Sequence, residues 1–326
     1  MTVNLSSIAK AVALTELPGV ADGRARQLIE DFGSPSAVYT ASFDALSEYH
    51  YIDEATYEKI GELDSVIEDL NARYADCREQ GIGLIPFYDD RYPDRLNAVS
   101  GPLLLYARGN ISLIHHKDSV GFTGTREASA EAVEWTKEAA KTLTESGRVV
   151  ISGGATGIDT AAHQGALESD GDTIVVLGTG INVPYPSTNE NLFERIVDEN
   201  GLLLSQREPQ AGPSRAGFLN RNQTLTGLSQ AVTVVATDGS GGTMSTYDDA
   251  TTQDRLVFCP DPELGLNPTA GIEHILGEDG AIPVTKPEEI LAYQVREIDE
   301  ANEGVADAKE RTVDTQTDQF SIDDFS

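Results

Sequence analysis

Between Ser119 and Cys259 the chain repeats one arrangement: a short apolar run, a glycine-rich turn, then an amphipathic stretch. The turns are Gly121-Phe122-Thr123-Gly124-Thr125-Arg126, Ser152-Gly153-Gly154-Ala155-Thr156-Gly157-Ile158-Asp159, Gly178-Thr179-Gly180 and Asp238-Gly239-Ser240-Gly241-Gly242-Thr243. Backbone N–H groups at such strand-to-helix turns, with a helix N-terminus behind them, make a site for an anion, so a phosphate-bearing ligand is expected. No turn continues into the Gly-Lys-Ser/Thr of a nucleoside-triphosphate loop, and the strict dinucleotide fingerprint with its later acidic residue is missing. ATP hydrolysis and ordinary NAD binding therefore lose ground, and no cofactor is expected.

The apolar runs predict strands at 82–86, 103–108, 119–123, 149–152, 173–177, 201–205, 231–236 and 256–259, with helices at 130–146, 158–169, 187–199 and 243–252 between the later ones. Gly147 is placed to end the first of those helices, and Ser187 with Glu190 reads as a capping box opening the third. Strands apolar on both faces, joined by crossover helices, predict an α/β fold: a doubly wound, parallel, Rossmann-like sheet whose ligands lie beyond the C-terminal strand ends. Three domains are expected: a helical module over 1–75, the α/β core over 76–293 and an acidic, disordered tail over 294–326. In the first module Leu17-Pro18-Gly19-Val20 reads as a helix–hairpin–helix turn. It either packs or offers N–H groups to a phosphate. In the tail, Phe320, Ile322 and Phe325 stand among carboxylates, as a peptide motif or an inert solvating segment.

Two cysteines, Cys77 and Cys259, provide neither a disulfide framework nor a metal cluster. With no signal peptide and no apolar run long enough to cross a bilayer, a cytoplasmic protein is expected. The formal net charge is −31, from 54 acidic and 23 basic residues. Such a surface repels nucleic acid at ordinary ionic strength. Molar salt, which shortens the Debye length to about 3 Å, would remove this repulsion, and acid enrichment along the whole chain suits a halophilic host. The alternative is a chain that does not bind nucleic acid.

The order of the turns, with the words between them, resembles the DprA (Smf) family of DNA-processing proteins. The resemblance rests on Gly124-Thr125-Arg126, on Val150 through His163 with its Ser152-Gly153-Gly154-Ala155-Thr156-Gly157-Ile158-Asp159 turn, on Val176-Leu177-Gly178-Thr179-Gly180, on Tyr185-Pro186 and on Phe218-Leu219-Asn220-Arg221-Asn222-Gln223. Tyr92-Pro93 and Leu105 through Asn110 extend it upstream. It implies a non-enzymatic, single-stranded DNA-binding protein of DNA uptake, natural transformation or recombination. The family usually acts as a homodimer that helps to load a RecA-type recombinase. Many members end in a winged-helix domain, for which the stretch after Tyr293 has no room.

The resemblance makes Arg126 a DNA-backbone contact, and a guanidinium grips phosphate through two parallel N–H donors. Gly124 and Thr125 shape its turn, while Gly153, Gly154 and Gly157 let backbone approach a ligand. The family usually has Arg where this chain has Thr156, whose hydroxyl still donates to a phosphate oxygen. Arg221 and Asn222 match the first part of an Arg-Asn-Arg element, but Gln223 replaces its second Arg. Phe218 either stacks on a base or packs in the core, and Ser240, Gly241, Gly242 and Thr243 complete the nucleic-acid-binding set. Asp159 and His163, one helical turn apart, read as a capping carboxylate over a packed histidine more readily than as a general base.

Two other readings compete. A nucleotide-binding sensor on the same fold needs fewer cations than a polynucleotide does. A glycosidic-bond hydrolase is suggested by Gly241-Gly242-Thr243, but such enzymes carry a catalytic Glu where this chain has Thr246.

Overall fold

The computed structural model describes residues 4–278 and 280–300, with side chains as far as Tyr293. The chain opens with six helices: α1 (Leu5–Ala13), α2 (Asp22–Phe32), α3 (Pro35–Thr40), α4 (Phe43–Leu46), α5 (Glu54–Ile60) and α6 (Asp64–Glu79). Next come β1 (Gly83–Pro86), α7 (Asp94–Asn97), β2 (Leu104–Gly109), β3 (Ser119–Thr123), α8 (Ala130–Glu145), β4 (Val149–Ser152), α9 (Ile158–Glu168) and β5 (Thr173–Leu177). They are followed by α10 (Glu190–Asp198), β6 (Leu202–Ser205), α11 (Arg215–Leu228), β7 (Ala231–Val234), α12 (Gly241–Thr252) and β8 (Leu256–Pro260). Last are α13 (Ala270–Leu276), β9 (Ala281–Val284) and α14 (Pro287–Glu300). The strand order is β1-β2-β6-β5-β4-β3-β7-β8-β9. Of the expected acidic tail, residues 301–326, with Phe320, Ile322 and Phe325, lie outside the described residues.

The chain divides into two units, Met1–His116 with Ile151–Ala155 and Thr173–Leu228, and Lys117–Val150 with Thr156–Asp172 and Ser229–Ser326. In the first, β5 and β6 are parallel, whereas β2 runs antiparallel to both β6 and β1. The expected parallel, doubly wound sheet thus carries an antiparallel margin at this end. Phe87 N–H donates to the Leu103 carbonyl at 3.0 Å, continuing the antiparallel β1–β2 pairing one step into the 87–103 connection. The helical head is fixed to this connection through Arg26, buried and stacked over the Phe87 ring at 4.6 Å, which donates to the Gly101 carbonyl at 3.0 Å. At Gly19 the chain takes the left-handed turn expected there (φ 73°), and Arg24 Nη1 holds its carbonyl at 2.6 Å.

In the second unit β3, β7, β8 and β9 form a parallel ladder. Its core joins Val120, Phe122, Leu143, Ile158 and Phe258 to alanines of α8 and α9. These two helices meet through small side chains, and a methyl group at Gly165 would collide with the Lys137 backbone. Close approach of this kind gives the interior its packing density. Gly147, at φ 78°, ends α8 as expected, its N–H donating to the Thr144 carbonyl at 2.9 Å. Ser187 does not cap α10: residues Ser187–Asn189 form a separate 3-10 turn, and the helix starts only at Glu190.

Candidate nucleic-acid interface

In the second unit the turn after β3 carries Gly124, Thr125 and Arg126. Thr125 N–H donates to the Ala236 carbonyl at 2.8 Å, and its hydroxyl accepts from Glu127 N–H at 3.2 Å, so the turn is tied at both ends. The next glycine-rich turn presses on it. Gly157 has φ 79°, and a Cβ there would collide with the Thr125 and Arg126 carbonyls, so only glycine fits. Ile158 N–H reaches the Thr125 carbonyl at 3.3 Å, and the Thr156 hydroxyl approaches the Arg126 carbonyl at 3.5 Å. The backbone of Arg126 is thus pinned while its side chain is exposed, without an ion pair among the described residues. A pinned backbone beneath a free guanidinium lowers the cost of ordering it on an anion. Thr156 is exposed beside it.

The fourth glycine-rich turn, also in this unit, is built differently. The Asp238 carboxylate accepts from Ser240 N–H at 2.9 Å and from its hydroxyl at 2.8 Å, directly before α12. An internal anion thus takes donors that the sequence offers to a phosphate, although Ser240, Gly241 and Gly242 are exposed and Thr243 half-buried. Thr246 is buried and turns its hydroxyl back to the Gly242 carbonyl at 3.0 Å. It cannot take the part of a carboxylate there.

In the first unit Gly153 and Gly154 are buried. Gly154 faces the Phe193 ring and the Tyr185 carbonyl, and its own carbonyl accepts from Asn189 Nδ2 at 3.0 Å. Gly154 makes its close approach to α10. Asn189, occupied in this way, leaves the helix without a side-chain cap.

Helix α11 presents the rest. Ser214 caps it, accepting from Gly217 N–H at 3.0 Å and from Arg207 Nη1 at 2.6 Å. The loop leading in is anchored where the Tyr106 hydroxyl donates to Glu208 at 3.0 Å and Arg73 pairs with Glu208 at 3.4 Å. Burial first, and then the neighbouring acidic groups, push the Tyr106 phenol far above its ordinary range, so it remains a donor. Phe218 lies half-buried across Gly178, where any side chain would strike its ring. Tyr185, 40% exposed, sits 5.5 Å from it, and Leu219 beside it is also 40% exposed. Arg215 is exposed and makes no ion pair among the described residues. Arg221 turns inward to the Val176 carbonyl at 3.4 Å, and Asn222 is buried. Of the expected cluster on this helix, Phe218 faces outward, Arg221 is partly committed to β5 and Asn222 is inside. Tyr185 and Arg215 were missing from the expected set. Their signal was an aromatic before proline and a cation in a chain short of cations.

The family model for DNA recombination-mediator protein A matches residues 83–294. The chain belongs to this family. The DprA protein of Bacillus subtilis (strain 168) is 31% identical over 231 residues, which cover 71% of this chain and 77% of that protein. The X-ray structure of DprA from Streptococcus pneumoniae matches with a TM-score of 0.73 and 27% identity, over 90% of this chain and 98% of that one. DNA processing protein A from Helicobacter pylori, whose structure addresses its single-stranded DNA binding mode, matches with a TM-score of 0.60 and 25% identity, over 66% of this chain and 96% of that one. The match with the streptococcal DprA structure spans most of both chains and shares the α/β architecture of this one. Thr156 and Gln223 are both exposed.

Proposed function

We propose that this DprA-family chain binds single-stranded DNA in DNA processing, through Arg126 with Thr156 in the second unit and through Arg215, Phe218 and Tyr185 in the first. The observation that carries the reading lies within the first unit: an exposed guanidinium at Arg215, without an ion pair among the described residues, on the same helix as Phe218, which forms a half-exposed aromatic pair with Tyr185. Phosphates call for the former and unstacked bases for the latter, whereas a duplex hides its base faces. The DNA-binding mode named for the Helicobacter pylori relative supports it. In the same reading the chain acts without catalysis in the cytoplasm, as a homodimer in recombination or DNA uptake, and passes the strand to a RecA-type recombinase. The 1–75 module, the 76–293 core and the terminal segment from 294 serve as its domains. Ser240 through Thr243 are secondary contacts, since Asp238 already engages their turn.

The test is binding of labelled oligo-dT and of mononucleotides side by side, from low to molar KCl. Oligo-dT should bind more tightly throughout, with a shallow salt dependence because few counterions are released from its phosphates. Phe218→Ala should cost about 1–3 kcal/mol of oligo-dT binding, the scale of one base–aromatic stack. Tight mononucleotide binding with no oligo-dT binding at any salt would replace this reading by the nucleotide sensor.

A further inference from the structure

A groove of about 690 Å³ opens on the second unit between α8 and the segment after β8. Its floor is Trp135, Leu264 and Leu266, and its rim is Glu131, Glu134 and Glu138. Residues 131, 134 and 138 recur at helical spacing, so the three carboxylates line one face of α8. All three are exposed and make no ion pair among the described residues, whereas the nearby Lys137 is held by Glu168 at 3.3 Å. Leu264 is 38% exposed, an unusual state for a large apolar side chain in this chain. Trp135 packs on the core, yet its indole N–H is buried with no acceptor.

We propose that this groove docks a basic, amphipathic segment of a partner protein. Its apolar side chains cover Trp135, Leu264 and Leu266, and its Lys or Arg residues meet Glu131, Glu134 and Glu138. Charge selects this occupant. The rim repels nucleic acid, and the chain's own terminus would set Asp318, Asp323 and Asp324 beside Phe320, Ile322 and Phe325. A helix laid by its apolar face into a groove is a recurring mode of peptide recognition, and the acidic rim fixes the sign of its polar face.

Trp135 is the only tryptophan, so its fluorescence reports occupancy directly. The probe is a short synthetic helix with Leu on one face and Lys on the other, set against a control with Glu in place of Lys. The basic peptide should shift Trp135 emission saturably, and the acidic one should not. Replacing the rim, Glu131→Gln with Glu134→Gln and Glu138→Gln, should weaken the basic peptide about tenfold. Leu264→Ser should also weaken it, with the thermal midpoint unchanged in both variants. Any of three outcomes overturns the proposal: no emission change, equal binding of the acidic peptide, or an equal loss in the remote control Glu54→Gln with Glu58→Gln and Glu62→Gln, which would mean diffuse attraction to an acidic surface. A dimer that buries Trp135 and excludes the peptide would assign the groove to a second copy instead.

Discussion

Two turns of the second unit, one at Gly124–Arg126 and one at Asp238–Thr243, look alike as strings and differ as surfaces. Both follow a parallel strand, both are rich in glycine and small hydroxyl residues, and both precede a helix. In the first, hydrogen bonds from neighbouring backbone hold the loop down and leave a guanidinium unpaired above it. In the second, Asp238 folds back and meets the donors with its own carboxylate. A glycine-rich turn therefore becomes an anion site only where no nearby carboxylate occupies it first. In a chain this acidic, that condition is the selective one.

The comparison breaks first at Arg126. Arg126→Ala should weaken oligo-dT binding by about 1–3 kcal/mol, the scale of a charged hydrogen bond, while Ser240→Ala should leave it nearly unchanged. Equal losses in filter or anisotropy titrations would mean that the two turns serve alike. A somewhat smaller effect is expected from Gly157→Ala. Its left-handed backbone and the carbonyls facing it should cost about 1–3 kcal/mol of stability and release the Arg126 loop, seen as a lower thermal midpoint and a partial loss of affinity. An unchanged midpoint would show that the pinning does not matter. Thr156→Arg should tighten binding and steepen the salt dependence by about 0.7 in log–log slope for its one added phosphate contact. If the slope stays fixed, that loop does not meet DNA. Smallest is Asp238→Asn, which should raise affinity by less than about 1 kcal/mol at low salt and not at all in molar KCl. A large gain would promote the second turn from secondary to principal contact.

The sequence disclosed the strands between 119 and 259 and most of their helices, because apolar runs and glycine punctuation are local signals. It missed α11, where Gly217, Asn220, Asn222 and Gly227 weaken helix propensity and where burial around much of the C-terminal half erases the amphipathic stripe. It also missed β9, four residues with a proline among them. The antiparallel setting of β2 is decided by pairings with β1 and β6 that no periodicity encodes. At the site, Arg126 was legible because its motif is contiguous. The inward turn of Arg221, the burial of Gly154 against Phe193 and the interception by Asp238 were not, since each is decided by what packs opposite.

Pro283 bears on how copies of this protein meet. Strand β9 stands last in the sheet order, and the Val284 carbonyl accepts from Asp261 N–H at 2.9 Å on the β8 side. Because successive peptide groups along a strand face opposite ways, the position of Pro283 falls on the outer rim, and the residue is exposed. The rim there is missing a donor, and a strand from another molecule seeking to extend the sheet would find a gap in the ladder. Charge repulsion between such acidic chains is dissolved by salt. A missing N–H is not, so this edge stays closed to templated growth in the very conditions where the charges fall silent.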